Sequence, residues 1–293
     1  MYNMSKLSKR NLDLLVLSDV HLGTRGCRAD ELLLYLKSIK PKQVVLNGDI
    51  LDMWQFNKNY WPKNHMKIIS LLFKWLVKGI KITYITGNHD EVLRKFEGLK
   101  LGNFEIQNKV VLEIDQKKAW IFHGDIFDVT MQHSRWLVKL GGIGYDLLIQ
   151  LNRLVNAISK LVGKGRISLS KKIKNSVKSA VKYINHFEET ATEIAARNKF
   201  DFVVCGHIHQ PQISKYHFHG REVLYLNSGD WIENLTSLEY HHGQWRVYQY
   251  NETELLQYHV EEELESVDLE FLAGQSSKQI FKNMLVEMLQ LNL

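Results

Sequence analysis

The sequence predicts an α/β fold whose strands end in acids and histidines. Two observations predict the fold class, and a third marks where it is interrupted. Short runs rich in Val, Ile and Leu alternate with amphipathic helical stretches through the first 125 residues. Asp, His and Asn then recur directly after those apolar runs, where the loops of an open α/β sheet converge. From about residue 131 the alternation gives way to two long leucine- and lysine-bearing periodic stretches before strand-like sequence returns near residue 200.

In chain order, residues Leu12–Leu17 read as the first strand, running straight into Asp19 and His21. Asp30–Ser38 reads as a helix, and "KQVVLNGD" as a second strand ending at Asp49. Lys63–Lys78 places Ile68, Leu71, Leu72, Trp75 and Leu76 on one helical face. "KITYITGNHD" is a third strand with its turn, and "KVVLEI" and "KAWIFHGD" flank the polar "DQKK" as a hairpin. "FDFVVCGHIH", "REVLYLNSGD" and "TSLEYHHGQWRVYQY" continue the strand pattern, the last with a tight turn at His242-Gly243. The domain reading is a core of residues 1–130 and 191–250, a helical insert at 131–190, and a C-terminal tail at 251–293. That tail ends in "IFKNMLVEMLQLNL", which reads as a docking helix.

The charge is unevenly spread. The chain sums to +6, yet residues 131–190 alone carry eleven Lys or Arg against three acids, and residues 251–293 carry nine acids against two lysines. A basic amphipathic insert suits an anionic membrane surface or a phosphate-bearing ligand. Its apolar residues are aliphatic rather than interleaved aromatics, which argues against a nucleic-acid stacking platform. Two cysteines, Cys27 and Cys205, make no disulfide framework and fit a reducing compartment. No apolar run reaches the roughly 18 residues a spanning helix needs. The expected location is therefore the cytoplasm, with the basic insert suited to peripheral contact with an anionic membrane surface.

Asp19, His21, Asp49, Asn88, His123, His207 and His209 form a mixed oxygen and nitrogen donor set. Imidazole with carboxylate suits Mn, Fe or Zn. Seven donors exceed one tetrahedral ion and suit two ions sharing a carboxylate, an arrangement that clamps in-line displacement at phosphorus. His207 and His209 alternate on strand-like sequence and so share a side. Gly48, Gly87, Gly124 and Gly206 lie beside the donors, where they would let the backbone turn sharply. Eight further histidines, His65 among them, fit no motif. Asp52 reads equally as a partner of a ligand or as a turn residue.

The ordered set DVH, GDILD, GNHD, HGD and GHIH resembles the calcineurin-like metallophosphoesterase superfamily. The resemblance implies a four-layer α/β/β/α sandwich of two mixed sheets, here with a helical insertion. It also implies two divalent ions, manganese first, with iron and zinc as alternatives. Asp19, His21, Asp49 and His209 would hold one; Asp49, Asn88, His123 and His207 the other. His89 would protonate the leaving group or stabilise a phosphoryl oxygen, with Asp90 orienting its ring.

A narrower resemblance lies in "HLGTRGCRADELLLYL", "NGDILDMW", "GYDLLIQLNRL", "CGHIHQP" and "LNSGDWIENLTSLEY", which are similar to the UDP-2,3-diacylglucosamine diphosphatases of lipid A synthesis. It implies cleavage of a UDP-linked diacyl sugar at its pyrophosphate to UMP and 2,3-diacylglucosamine 1-phosphate. Arg25, Arg28, Lys171, Lys174 and Lys178 are the candidate phosphate contacts. One position departs: that branch carries Arg where this chain has His89. Two other readings stay open: a phosphodiesterase or phosphatase acting on another nucleotide, phospholipid or nucleic acid, and a non-catalytic metal-stabilised scaffold.

Overall fold

A computed structural model describes residues 9–54, 60–127, 184, 186–218 and 220–255. Its first sheet has seven strands in the order β12-β11-β1-β2-β3-β5-β4. These are β1 (Arg10–Leu17), β2 (Ile39–Asn47), β3 (Lys81–Ile85), β4 (Lys100–Leu101), β5 (Phe104–Gln107), β11 (Thr236–His241) and β12 (Gln244–Gln249). The second has five in the order β6-β7-β8-β10-β9. They are β6 (Lys109–Ile114), β7 (Lys117–Phe122), β8 (Phe202–Cys205), β9 (Gln212–Phe218) and β10 (Arg221–Asn227). Both sheets are mixed. β1, β2, β3 and β5 run parallel, as do β7, β8 and β10, and the remaining pairings are antiparallel.

Strand alternation sorts the apolar side chains into two cores. Leu14, Val16, Val45, Ile85 and Leu238 from the first sheet meet Ala119, Ile121, Val204 and Leu226 from the second. The opposite face of the first sheet, including Leu15, Leu17, Val44, Leu46 and Ile82, packs with helices α1 (Ala29–Ser38) and α2 (Lys63–Val77). α1 has Leu32, Leu33, Leu34, Tyr35 and Leu36 all buried. The outer face of the second sheet is buried too, at Val203, Cys205, Val223 and Tyr225, as a four-layer arrangement requires.

The hairpin turns follow the sequence. Asp115 and Gln116, in the polar stretch between β6 and β7, both take positive φ, as do His242 and Gly243 between β11 and β12. β4, β5 and β9 are strands that no sequence pattern announced. β4 is two residues long, and β9 alternates exposed with half-buried positions along one edge of its sheet. β2 also begins earlier than read, at Ile39, directly after α1. The chain divides into two compact units, with boundaries at Gly124/Asp125 and Ile194/Ala195. Lys171, Lys174 and Lys178, the helices read across 131–183, and the apolar run closing the tail lie outside the described residues. No described helix is long and apolar enough to cross a membrane.

Candidate metal centre

Parallel neighbours end at the same edge of a sheet, so the loops after β1, β2 and β3 open side by side, as do those after β7, β8 and β10. Hydrogen bonds stitch the two sets together. Asn47 Nδ2 donates to the Phe122 carbonyl at 3.1 Å, and the Ser18 and Ser228 hydroxyls lie 2.6 Å apart. Within the second set, the Gly206 N–H donates to the His123 carbonyl at 2.9 Å.

The side chains fall into overlapping groups whose potential ligand atoms lie within 4.8 Å of one another: Asp19, His21 and His209; Asp49, His123 and His207; and His21, Asp49 and His89. Asp19, His21, Asp49, His207 and His209 all have φ between 52° and 65°. Non-glycine residues in this left-handed region carry strain of about 1–3 kcal/mol each, which persists only where surroundings over-determine it. Five such residues within linked donor groups mark a functional centre.

The rings are pre-set. His123 Nδ1 sits 2.9 Å from the Asn47 carbonyl, so this nitrogen carries a proton, and it turns Nε2 toward Asp49 Oδ2 at 3.3 Å. His21 Nδ1 and His89 Nδ1 lie 3.1 and 2.9 Å from the same atom, Asp52 Oδ2. His209 Nε2 lies 3.1 Å from Asp19 Oδ1. Asp19 Oδ2 accepts the His207 backbone N–H at 3.0 Å, and Asp49 Oδ1 accepts that of His89 at 2.8 Å.

Electrostatics keep both carboxylates charged. Burial alone would push the Asp19 carboxyl up, but His209 beside it, with His123 and His21, holds it well below the usual range. Burial likewise opposes ionisation of Asp49, yet His123 brings it down to about 2. Burial disfavours His209 protonation, but the Asp19 charge overrides it and raises the ring to about 9.

The donors fit a divalent cation. Among the described residues, His21 Nε2 and Asn88 Oδ1 are buried atoms without a hydrogen-bond partner. A lone pair left that way costs about 1–3 kcal/mol unless something coordinates it.

Residues 12–211 match the family model for calcineurin-like phosphoesterases. The chain belongs to that family.

Curated relatives of this phosphoesterase include the UDP-2,3-diacylglucosamine hydrolase of Aliivibrio fischeri, 24% identical over 78% of this chain and 95% of that one. The enzyme of the same name from Blochmanniella pennsylvanica is 26% identical over 70% and 82%. Among solved structures, the phosphoesterase Yfce of E. coli aligns with a TM-score of 0.39 at 14% identity, over 81% of this chain and 99% of that one.

The phosphoesterase corrects one expected role. The orienting partner of His89 is Asp52, not Asp90. The Asp90 carboxylate is occupied elsewhere, accepting from Ile50 N–H at 3.0 Å, Gly87 N–H at 2.6 Å and the Tyr84 hydroxyl at 2.6 Å. It ties the loops after β2 and β3 together. Arg25 and Arg28 are exposed. Arg28 pairs with Glu31 one turn along, and the Arg25 guanidinium lies 5.5 Å over the Tyr60 ring.

Asp230 carries a role the sequence reading did not assign. Its Oδ1 accepts the N–H groups of Ile232 and Glu233 at 2.8 and 2.6 Å. Asn234, also bonded to Asp230, donates to the His209 carbonyl at 2.9 Å. The D-W-I-E-N stretch holds the signal, because an Asp two to four residues before free N–H groups makes such a turn.

Gly48 and Gly124 take positive φ, 82° and 129°, as a sharp turn needs, whereas Gly87 and Gly206 act as spacers. A Cβ on Gly87 would lie 2.2 Å from Asp49 Oδ1, and one on Gly206 would lie 2.6 Å from Asp19 Oδ2. Neither needs a left-handed backbone. Both let a carboxylate pass where a side chain would stand.

Two measurements test this arrangement. Asp52→Asn keeps the shape but removes the charge that accepts from both rings, so steady-state turnover should fall about 10- to 100-fold with the fold intact. The second concerns His209 in the metal-free protein. Its folded pKa lies above the unfolded value of about 6.5, so its stabilisation is complete below that pH and is lost as pH rises through about 9. A metal ion must displace this proton, so divalent-ion affinity, read by calorimetry, should rise with pH up to about 9.

Proposed function

We propose that this phosphoesterase hydrolyses the pyrophosphate of UDP-2,3-diacylglucosamine, releasing UMP and 2,3-diacylglucosamine 1-phosphate. The observation that carries the substrate is the agreement of the curated relatives: all seven are named UDP-2,3-diacylglucosamine hydrolase, over 66–80% of this chain. The chemistry rests on the centre. Two donor groups, one containing Asp19 and the other Asp49, are linked by a third that shares His21 with the first and Asp49 with the second.

Asp19, His21, Asp49 and His209 are the residues proposed to hold one divalent ion, and Asp49, Asn88, His123 and His207 the other. Bound there, the ions would supply a nucleophile from water at neutral pH and offset charge on the phosphoryl oxygens. The donor set suits manganese, with iron or zinc as alternatives.

The chain's own part is orientation and proton transfer. Asp52 fixes His89 through Nδ1, leaving Nε2 as the ring's second donor. Burial disfavours the charged ring, but the Asp52 bond and the nearby Asp49 charge raise its pKa above the ordinary histidine value. A protonated His89 is poised to donate to the leaving phosphate oxygen or to a phosphoryl oxygen. The Trp54 ring, 4.4 Å away at 34°, covers one side of it.

In this reading the enzyme works from the cytoplasm, held peripherally at the inner membrane where the acyl chains of its substrate reside. The assay is UMP release from UDP-2,3-diacylglucosamine by Mn²⁺-reconstituted protein. Turnover of an aryl phosphodiester with none of the UDP-lipid would overturn the substrate and leave the centre standing.

A further inference from the structure

Gly23 lies two residues beyond His21, and its backbone N–H donates to His65 Nδ1 at 2.9 Å. His65 belongs to no sequence motif, yet it is 2% exposed. It sits in the first turn of α2, where its own N–H bonds the Pro62 carbonyl at 3.1 Å. An imidazole that accepts an N–H must present an unprotonated nitrogen, so His65 is held neutral with its proton on Nε2. Burial favours that neutral form by lowering the ring's pKa, against the opposing pull of Asp30. Two aromatic edges fix the ring: Trp61 at 5.7 Å and 70°, and Tyr60 at 6.3 Å and 87°.

The backbone around His21 is gripped on its other side. Leu22 N–H donates to the Ile50 carbonyl at 2.8 Å, and Asp52 N–H donates back to Leu22 at 3.0 Å. The Thr24 hydroxyl closes a turn onto the His21 carbonyl at 2.9 Å. Gly23 interrupts these constraints with φ of 100°, a conformation glycine enters freely and leaves as freely. A fixed acceptor at its N–H removes that freedom.

We propose that His65 is a positioning residue for the metal centre: by accepting the Gly23 N–H it fixes the backbone leaving His21, and so the direction of His21 Nε2. It reaches the centre through the loop and touches no candidate ligand. The inference is independent of the substrate, because it concerns how the centre is held.

The test is calorimetric titration of Mn²⁺ into the metal-free full-length chain, comparing His65→Leu with His65→Asn. Leucine fills the space without an acceptor, whereas the asparagine Oδ1 can take the place of Nδ1. His65→Leu should weaken Mn²⁺ binding about tenfold, the low end for an outer partner of a metal site. His65→Asn should restore parental affinity. Equal loss in both variants, or no loss in His65→Leu, would overturn the proposal. A ¹⁵N spectrum of the unsubstituted chain gives a reading that does not depend on a variant folding. It should show His65 protonated on Nε2, with Nδ1 coupled to the Gly23 amide proton. A proton on Nδ1 would overturn the proposal.

Discussion

Asp49→Ala is expected to abolish phosphoester hydrolysis, with turnover reduced by more than the roughly hundredfold that loss of an outer partner of a metal ligand costs at most. Asp49 shares donor groups with His123 and His207 on one side and with His21 and His89 on the other. One of its oxygens accepts the His89 N–H at 2.8 Å, and the other lies 3.3 Å from His123 Nε2. His123 holds the carboxyl ionised despite burial. Truncation therefore removes a ligand common to both proposed ions, removes the carboxylate beside His123 Nε2 and frees the turn that presents His89. Bound metal, read by elemental analysis, should fall together with turnover. A variant that keeps its metal and its rate would show that Asp49 is not the shared ligand. Thermal melting in the presence of chelator checks that the fold survives, since the core between the two sheets does not include this residue.

Gly87→Ala should be nearly as damaging for a purely steric reason. The added Cβ would stand 2.2 Å from Asp49 Oδ1 and 2.7 Å from the Asp49 backbone nitrogen. The second contact is with main chain, which cannot swing aside. Overpacking of this kind costs about 1–3 kcal/mol, corresponding to a Tm lower by roughly 2–10 °C for a domain of this size. Because the displaced atoms belong to Asp49, metal affinity should fall with stability. Gly26→Ala is the control. Its Cβ would meet the Ile232 methyl group at 3.5 Å and the Thr24 hydroxyl at 4.0 Å, both ordinary contacts, so neither quantity should move. Loss at Gly26 equal to that at Gly87 would mean that glycine itself, rather than space beside Asp49, is what this region needs.

The strands nearest the centre were the easiest elements to read. β1, β2, β3, β7, β8 and β10 are buried on both faces, and their apolar runs stop where the polar loops begin. β4, β5 and β9 escaped because their identity lies in pairing. β4 exists only by bonding β5, and β9 by its register with β10 from Gln212 to Phe218. An edge strand with alternating exposure carries little apolar signal of its own.

The sequence by itself determined the donor set, its order and its placement after successive strands, because coordination and phosphoryl chemistry depend on residue type and those types sit in the loops. It also determined that strand and helix alternate, since burial imposes period and length. Only the tertiary structure decided which side chains meet. Along the chain the neighbouring Asp90 is the expected partner of His89, and the role fell to Asp52 because Asp90 is drawn toward Ile50, Gly87 and Tyr84. His65 gained its place near the centre in the same way, from the packing of α2 beside the loop after β1. Partnerships between residues 40 positions apart depend on loop geometry and burial, and neither is encoded in local pattern.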